Sequence, residues 1–232
     1  MDRADTEYDW HTERDESLHR ARMEMTVVVV GSGPWSGNRT DIDGHPVVRM
    51  WNHEWQPADR YGTRYDYGLI TIEQDARCAS RCPAVSWFFY NTAHEPAVSE
   101  INGGAVVTLK HHRWLQRATE LGARPGTPGK AIKFTRGFAA VAGAIDQLRP
   151  GRVVIIGMDL LRDGATPSKY YDPAALPYYV NRYPSLAKAN PAWAADTMPE
   201  GWLRDGPHDY SVEAVLIRAL AAEAGTEIAW GF

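Results

Sequence analysis

Short apolar runs rich in β-branched residues alternate along this chain with segments whose apolar positions recur every three or four residues. Thr26-Val27-Val28-Val29-Val30 is stopped by Gly31 and reads as a strand buried on both faces, and Val47 to Trp51 reads as a second. Gly68 to Ile72 and Ala84 to Tyr90 have the same character, and Gly103-Gly104 leads into another run, Ala105 to Leu109. Trp114, Leu115, Ala118 and Leu121 then fall at helical spacing, with Gly122 as the stop. After Ala131 to Phe134, a helix is predicted over Gly137 to Leu148 with Phe138, Val141, Ala142, Ile145 and Leu148 on one face. Pro150-Gly151 ends it before a buried strand at Val153 to Ile156. Ser211 to Ala224 repeats the pattern with Val212, Val215, Leu216, Ala219 and Leu220 inward, Gly225 at the C-cap and a last strand at Ile228 to Trp230.

Strands alternating with helices predict an α/β fold: a single Rossmann-like domain whose mostly parallel sheet carries helices on both faces. Residues 1–25 carry eight acids and four Arg without periodicity before Leu18 and Met23. They read as a polar N-terminal tail or a short ancillary helix, with the folded domain at residues 26–232. Residues 160–206 break the alternation, holding six prolines, five tyrosines and two tryptophans with no sustained period. So long an irregular segment inside a compact domain is a lid, a binding loop or a disordered stretch, and its aromatic content favours the lid.

Composition narrows the class. The chain has 232 residues, 44% hydrophobic and 23% charged, enough for a sizeable core in one large domain. Its formal charge is −4, and beyond residue 25 the signs balance at 21 each, which argues against bulk nucleic-acid binding through phosphates. Cys78 and Cys82 are too few for a disulfide framework or a four-ligand zinc site and are read as reduced structural thiols. Neither a signal-peptide core nor an apolar run of about 20 residues occurs, so no transmembrane segment is expected and a cytoplasmic location is the default.

Candidate chemistry lies at strand and helix ends. Gly31-Ser32-Gly33-Pro34 follows the first strand, where missing side chains let a ligand approach the backbone, although a tight turn accounts for the same residues. Asp41-Ile42-Asp43 matches the DxD of metal-dependent glycosyltransferases but precedes a strand, away from the edge where ligands collect, and is read as a turn. His208 lies just before the last helix, a position that keeps an imidazole neutral and able to take a proton, and also a common place for a capping histidine. His111 and His112, at the start of a helix, are read as capping or surface residues.

Together these pieces resemble the sialyltransferases, both the bacterial type and the related animal type with its sialylmotifs. Val29-Val30-Gly31-Ser32-Gly33-Pro34 is similar to the family's opening strand and donor loop. Ile42 to Asn52 is similar to the stretch that enters the second strand and ends in a donor-binding Asn, and Phe89-Tyr90-Asn91 to another strand end whose Asn contacts the nucleotide sugar. Thr135-Arg136-Gly137 and Ile155-Ile156-Gly157-Met158-Asp159 resemble the second shared motif, and His208 with Glu213 the closing one. Ser32 stands where the family commonly has Asn, and Arg136 where it commonly has a small Ser beside the donor's carboxylate. An Arg there pairs a carboxylate or phosphate as readily as it signals a different sugar.

The resemblance implies transfer of a sugar, sialic acid or a related keto-sugar, from a cytidine monophosphate (CMP) donor to an acceptor hydroxyl on a glycan or lipid-linked sugar, with inversion and without a metal. It implies His208 as base and Tyr170 and Tyr171, in the lid, as hydroxyls stabilising the departing phosphate. Donor-binding positions are Gly31, Ser32, Gly33, Asn52, Asn91, Thr135, Arg136, Gly137 and Asp159. Two alternatives stand beside it. One is a Rossmann-like enzyme using S-adenosylmethionine or NAD, although Trp51-Asn52-His53 stands where such cofactors want an acid; the other is an inactive nucleotide-sugar-binding relative.

Overall fold

The computed structural model describes residues 10–31, 35, 37–50, 61–71, 84, 86–90, 99–101, 103–123, 132, 134–158 and 210–231. Helix α1 (Trp10–Glu24) leads into β1 (Thr26–Val30), a single helical turn α2 (Thr40–Asp43) and β2 (Val47–Met50). Strands β3 (Tyr67–Ile70), β4 (Ser86–Phe89), β5 (Glu100–Ile101) and β6 (Gly104–Thr108) follow, then helices α3 (His112–Glu120) and α4 (Arg136–Leu148). Strand β7 (Arg152–Ile156), helix α5 (Tyr210–Ala224) and strand β8 (Glu227–Trp230) complete the described elements.

All eight strands form one sheet in the order β5-β6-β4-β3-β2-β1-β7-β8. Every neighbouring pair is parallel except β5 with β6. The chain is therefore α/β, and it builds outward from β1 on one side before returning to the other side of β1 for β7 and β8. Val27 to Val30 are each 0% exposed. A β1 covered on both faces needs apolar residues at every position, which is why the run does not alternate. Burying each such side chain contributes about 1.5–3 kcal/mol relative to exposure.

The two faces are covered differently. Val27, Val29, Val48, Leu69, Phe88, Val153 and Ile155 pack in one core with residues of α3, α4 and α5. Val28, Val30, Val47, Val154 and Ile156 face the opposite side with Trp35, Ile42 and Tyr61. The β1 to β2 step carries α2 on this second face, whereas β7 to β8, moving the other way along the sheet, carries α5 on the first. Right-handed crossovers running in opposite directions require that arrangement.

Helix α4 is buried on every side from Phe138 to Ile145, not along one stripe. Its alanines let the sheet and α5 approach it closely, and a Cβ on Gly143 would stand 2.9 Å from Leu109 Cδ1. It ends at Arg149 in the left-handed region, φ 48°, before the Pro150-Gly151 pair. In helix α5 Leu216 and Leu220 are buried as expected and Val212 and Ala219 half-buried, but Val215 is 48% exposed, and Glu213, Ala214, Ile217 and Ala221 are buried as well. The buried face is thus wider than the predicted stripe and extends to its 213, 217 and 221 side.

In the acidic N-terminal region, α1 is exposed from Glu16 to Glu24 and tied to the amino edge of the sheet at its end, where Gly151 N–H donates to the Arg22 carbonyl at 2.8 Å. A Cβ on Gly151 would collide with the Met23 backbone, so residue 151 must be glycine for that contact. Among the described residues no helix is long and apolar enough to cross a membrane.

Candidate functional site

In an open parallel sheet the carboxyl ends of the strands offer a crevice wherever consecutive strands leave in opposite directions. Here that point lies between β1 and β7, which pair in register from Thr26 with Arg152 to Val30 with Ile156. Helices α4 and α5 both run back to the amino edge to start β7 and β8, so their first turns stand at the carboxyl edge. Helix α3 leaves β6 from that same edge.

Gly31 is the first residue past β1, and its N–H donates to the Ile156 carbonyl at 2.8 Å. A Cβ there would stand 2.3 Å from both the Gly157 carbonyl oxygen and Met158 Cγ. The chain itself therefore occupies the space that the missing side chain leaves. A Cβ on Gly137, at the head of α4, would lie 3.2 Å from Met158 Sδ. Met158 thus bridges the exit of β1 and the head of α4, and two of the predicted donor positions share it as neighbour. Gly157 turns the chain there with φ +64°, a conformation that favours glycine.

Thr135 caps α4 from extended backbone, its hydroxyl accepting from Phe138 N–H at 3.0 Å. The same hydroxyl donates to Glu213 at 2.7 Å, and Thr135 N–H donates to the other oxygen of that carboxylate at 2.6 Å. Glu213 is 1% exposed. A carboxylate at the amino end of α4 is favoured by the helix dipole, and the two charge-assisted bonds offset its desolvation. Arg136, the next residue, is exposed in the first turn of α4.

Tyr90 stands one residue past β4, holding the ladder through its N–H to the Ile70 carbonyl at 3.0 Å. Its hydroxyl accepts from Phe134 N–H at 3.3 Å, immediately before the Thr135 cap. Burial pushes its pKa up to about 12, the Phe134 hydrogen bond works the other way, and the Glu213 carboxylate adds to the rise. His111, at the N-cap of α3, meets the Tyr90 ring edge-on with centroids 5.9 Å apart. It stands at the N-cap without a side-chain capping hydrogen bond, and it borders the carboxyl edge. His112 is exposed.

Gly31, Thr135, Arg136 and Gly137 are thus brought to one edge. Ser32, Gly33, Asn52, Asn91, Asp159, Tyr170, Tyr171 and His208 lie outside the described residues, as do residues 160–206, Cys78 and Cys82. Asp41 and Asp43 form part of α2, ahead of β2 at the amino edge, where Arg64 donates to the Asp43 carbonyl at 3.0 Å. Among the described residues no group of three or more His, Cys, Asp or Glu side chains is placed to hold a metal ion. Sequence reasoning carried Tyr90, Met158 and Glu213 within its motifs but gave none of the three a role of its own. The signal for Glu213 was available: 213, 216, 217, 220 and 221 make a helical stripe as regular as the one beginning at 212.

No family model matches the chain, and neither does a curated protein or a solved structure.

Proposed function

We propose that this chain is a glycosyltransferase of the sialyltransferase-like type, a Rossmann-like domain moving sialic acid or a related keto-sugar from a CMP donor to an acceptor hydroxyl. The observation that carries the reading is the meeting of motifs at one place. Gly31 leaves β1 beside Gly157 and Met158, just past the end of β7, at the point where the strand order reverses. The head of α4, with Thr135, Arg136 and Gly137, shares Met158 and is clamped to the first turn of α5 through Glu213. His208 precedes α5 by two residues. Gly31 and the Thr135-Arg136-Gly137 motif, far apart along the chain, therefore meet at one edge of the sheet, which supports a shared ligand there.

In this mechanism Asn52 and Asn91 hydrogen-bond the cytosine and ribose, and Arg136 pairs the donor's carboxylate or phosphate. Ser32, Gly33 and Asp159 belong to the loops bordering that donor. His208 takes the acceptor hydroxyl's proton as the sugar gains oxocarbenium character and the CMP oxygen departs towards Tyr170 and Tyr171. Closure of residues 160–206 excludes water that would hydrolyse the donor. The monophosphate leaving group is served by hydroxyls and a guanidinium, so the reading calls for no metal.

Thermal shift against CMP, S-adenosylhomocysteine and NAD tests the reading, with stabilisation expected from CMP alone. Stabilisation by either of the other two in its place overturns it in favour of a methyl-donor or NAD enzyme. CMP binding with no sugar released or transferred, and no effect of His208→Ala, leaves an inactive relative.

A further inference from the structure

The buried hydroxyl of Tyr90 carries a donor that the described fold does not use. Tyr90 is 6% exposed, packed against Trp114 at 5.8 Å between ring centroids and edge-on to His111. Its oxygen accepts from Phe134 N–H, and among the described residues nothing accepts its proton. Leaving a buried donor unmatched costs about 1–3 kcal/mol, which an acceptor supplied from outside would recover.

Position and charge define that acceptor. Phe134 immediately precedes the Thr135 cap, so the hydroxyl stands at the head of α4, on the edge where Gly31 and Gly137 meet Met158. Glu213 is tied to the same cap and its charge is felt at Tyr90. His111 is the other titratable ring against Tyr90. A phosphate or carboxylate brought to this spot would face the Glu213 carboxylate as a like charge. A neutral oxygen accepts from Tyr90 without that repulsion, and the ribose hydroxyls are such oxygens on a nucleotide.

We infer that Tyr90 is a ligand-binding residue of the proposed donor site, its hydroxyl donating to a ribose hydroxyl of the bound nucleotide. This rests on the nucleotide reading above. It divides the edge into a neutral, hydroxyl-binding part around Tyr90, Thr135 and Glu213 and an anion-binding part at Arg136.

Calorimetric titration of the full-length chain and Tyr90→Phe with CMP and with 2′,3′-dideoxy-CMP tests it. Tyr90→Phe keeps the ring and removes only the hydroxyl. In the unsubstituted chain the dideoxy nucleotide is expected to bind about five- to tenfold more weakly than CMP. In Tyr90→Phe, CMP binding falls by a similar factor and the two nucleotides differ by less than about twofold. The same dideoxy penalty in both proteins overturns the assignment of Tyr90 while leaving the nucleotide reading intact. Failure of CMP to bind the unsubstituted chain overturns the nucleotide reading, and the assignment with it. Because the comparison is a ratio within each protein, a small change in stability does not affect it.

Discussion

Glu213, in the first turn of α5, accepts two hydrogen bonds from Thr135 at the head of α4, one from its N–H at 2.6 Å and one from its hydroxyl at 2.7 Å. With only 1% of Glu213 exposed, the pair locks together two helices that are 78 residues apart at this contact. Glu213→Ala leaves the Thr135 N–H and hydroxyl without their acceptor and should cost about 2–4 kcal/mol in urea unfolding. A double-mutant cycle with Thr135→Val should return a coupling of about 1–3 kcal/mol. Additive losses would show that the hydroxyl half of the clamp does not operate in solution.

Gly31→Ala places a methyl 2.3 Å from the Gly157 carbonyl and from Met158 Cγ. Met158 can move, but the carbonyl belongs to the backbone of the β7 exit. We expect a loss of about 3 kcal/mol or more, only partly restored by Met158→Ala. Full restoration by that second substitution would show that the carbonyl is not the obstacle.

Tyr90→Phe should change how stability depends on alkali. The Tyr90 hydroxyl is held neutral in the fold, its pKa raised from 10.0 to about 12, so the folded chain keeps a proton that the unfolded chain loses. That contribution is complete below about pH 10 and is lost as the pH rises to about 12. The unsubstituted chain should therefore lose about 2–3 kcal/mol more than Tyr90→Phe across that window. Parallel curves would contradict the buried, neutral phenol.

The inner face of α5 is tested by two neighbours. Val215, 48% exposed, should tolerate Ser within about 0.5 kcal/mol, whereas Leu216→Ala, at a position 0% exposed, should cost about 2–5 kcal/mol. Comparable losses at both would restore the stripe read from the sequence.

Much of the fold was legible because its strands are short and saturated with β-branched residues. The first strand runs from Thr26 to Val30 as read, the other strands that were read shift by one or two residues at their ends, and the two-residue β5 was not read. Ladder hydrogen bonds decide those ends, as where Tyr90 continues β4 by one bond beyond its last assigned residue. In the stripe of α5 only Val215 is misplaced, because it is as apolar as Leu216 and Ile217. The stripe also leaves out the buried Glu213, whose partner Thr135 lies at the head of another helix, invisible to local periodicity. Similarly, Gly31 suggests an opening for a ligand when read alone. Only the pairing of β1 with β7 shows that Gly157 and Met158 fill that space. The edge was predictable from the glycine turn and the helix caps, but its neighbours were not.

The central place of β1 bears on how the chain acquires its fold during synthesis. One side of β1 can be satisfied early, by β2 and the strands stacked beyond it, but the other must wait for β7. Until the ribosome has delivered residues 152–156, a row of valines presents an open hydrogen-bonding margin to any strand that passes. Such a nascent intermediate is a natural client for a holdase. A slowed translation of the region between β6 and β7 would then lower the yield of native protein without altering a single contact in the finished molecule.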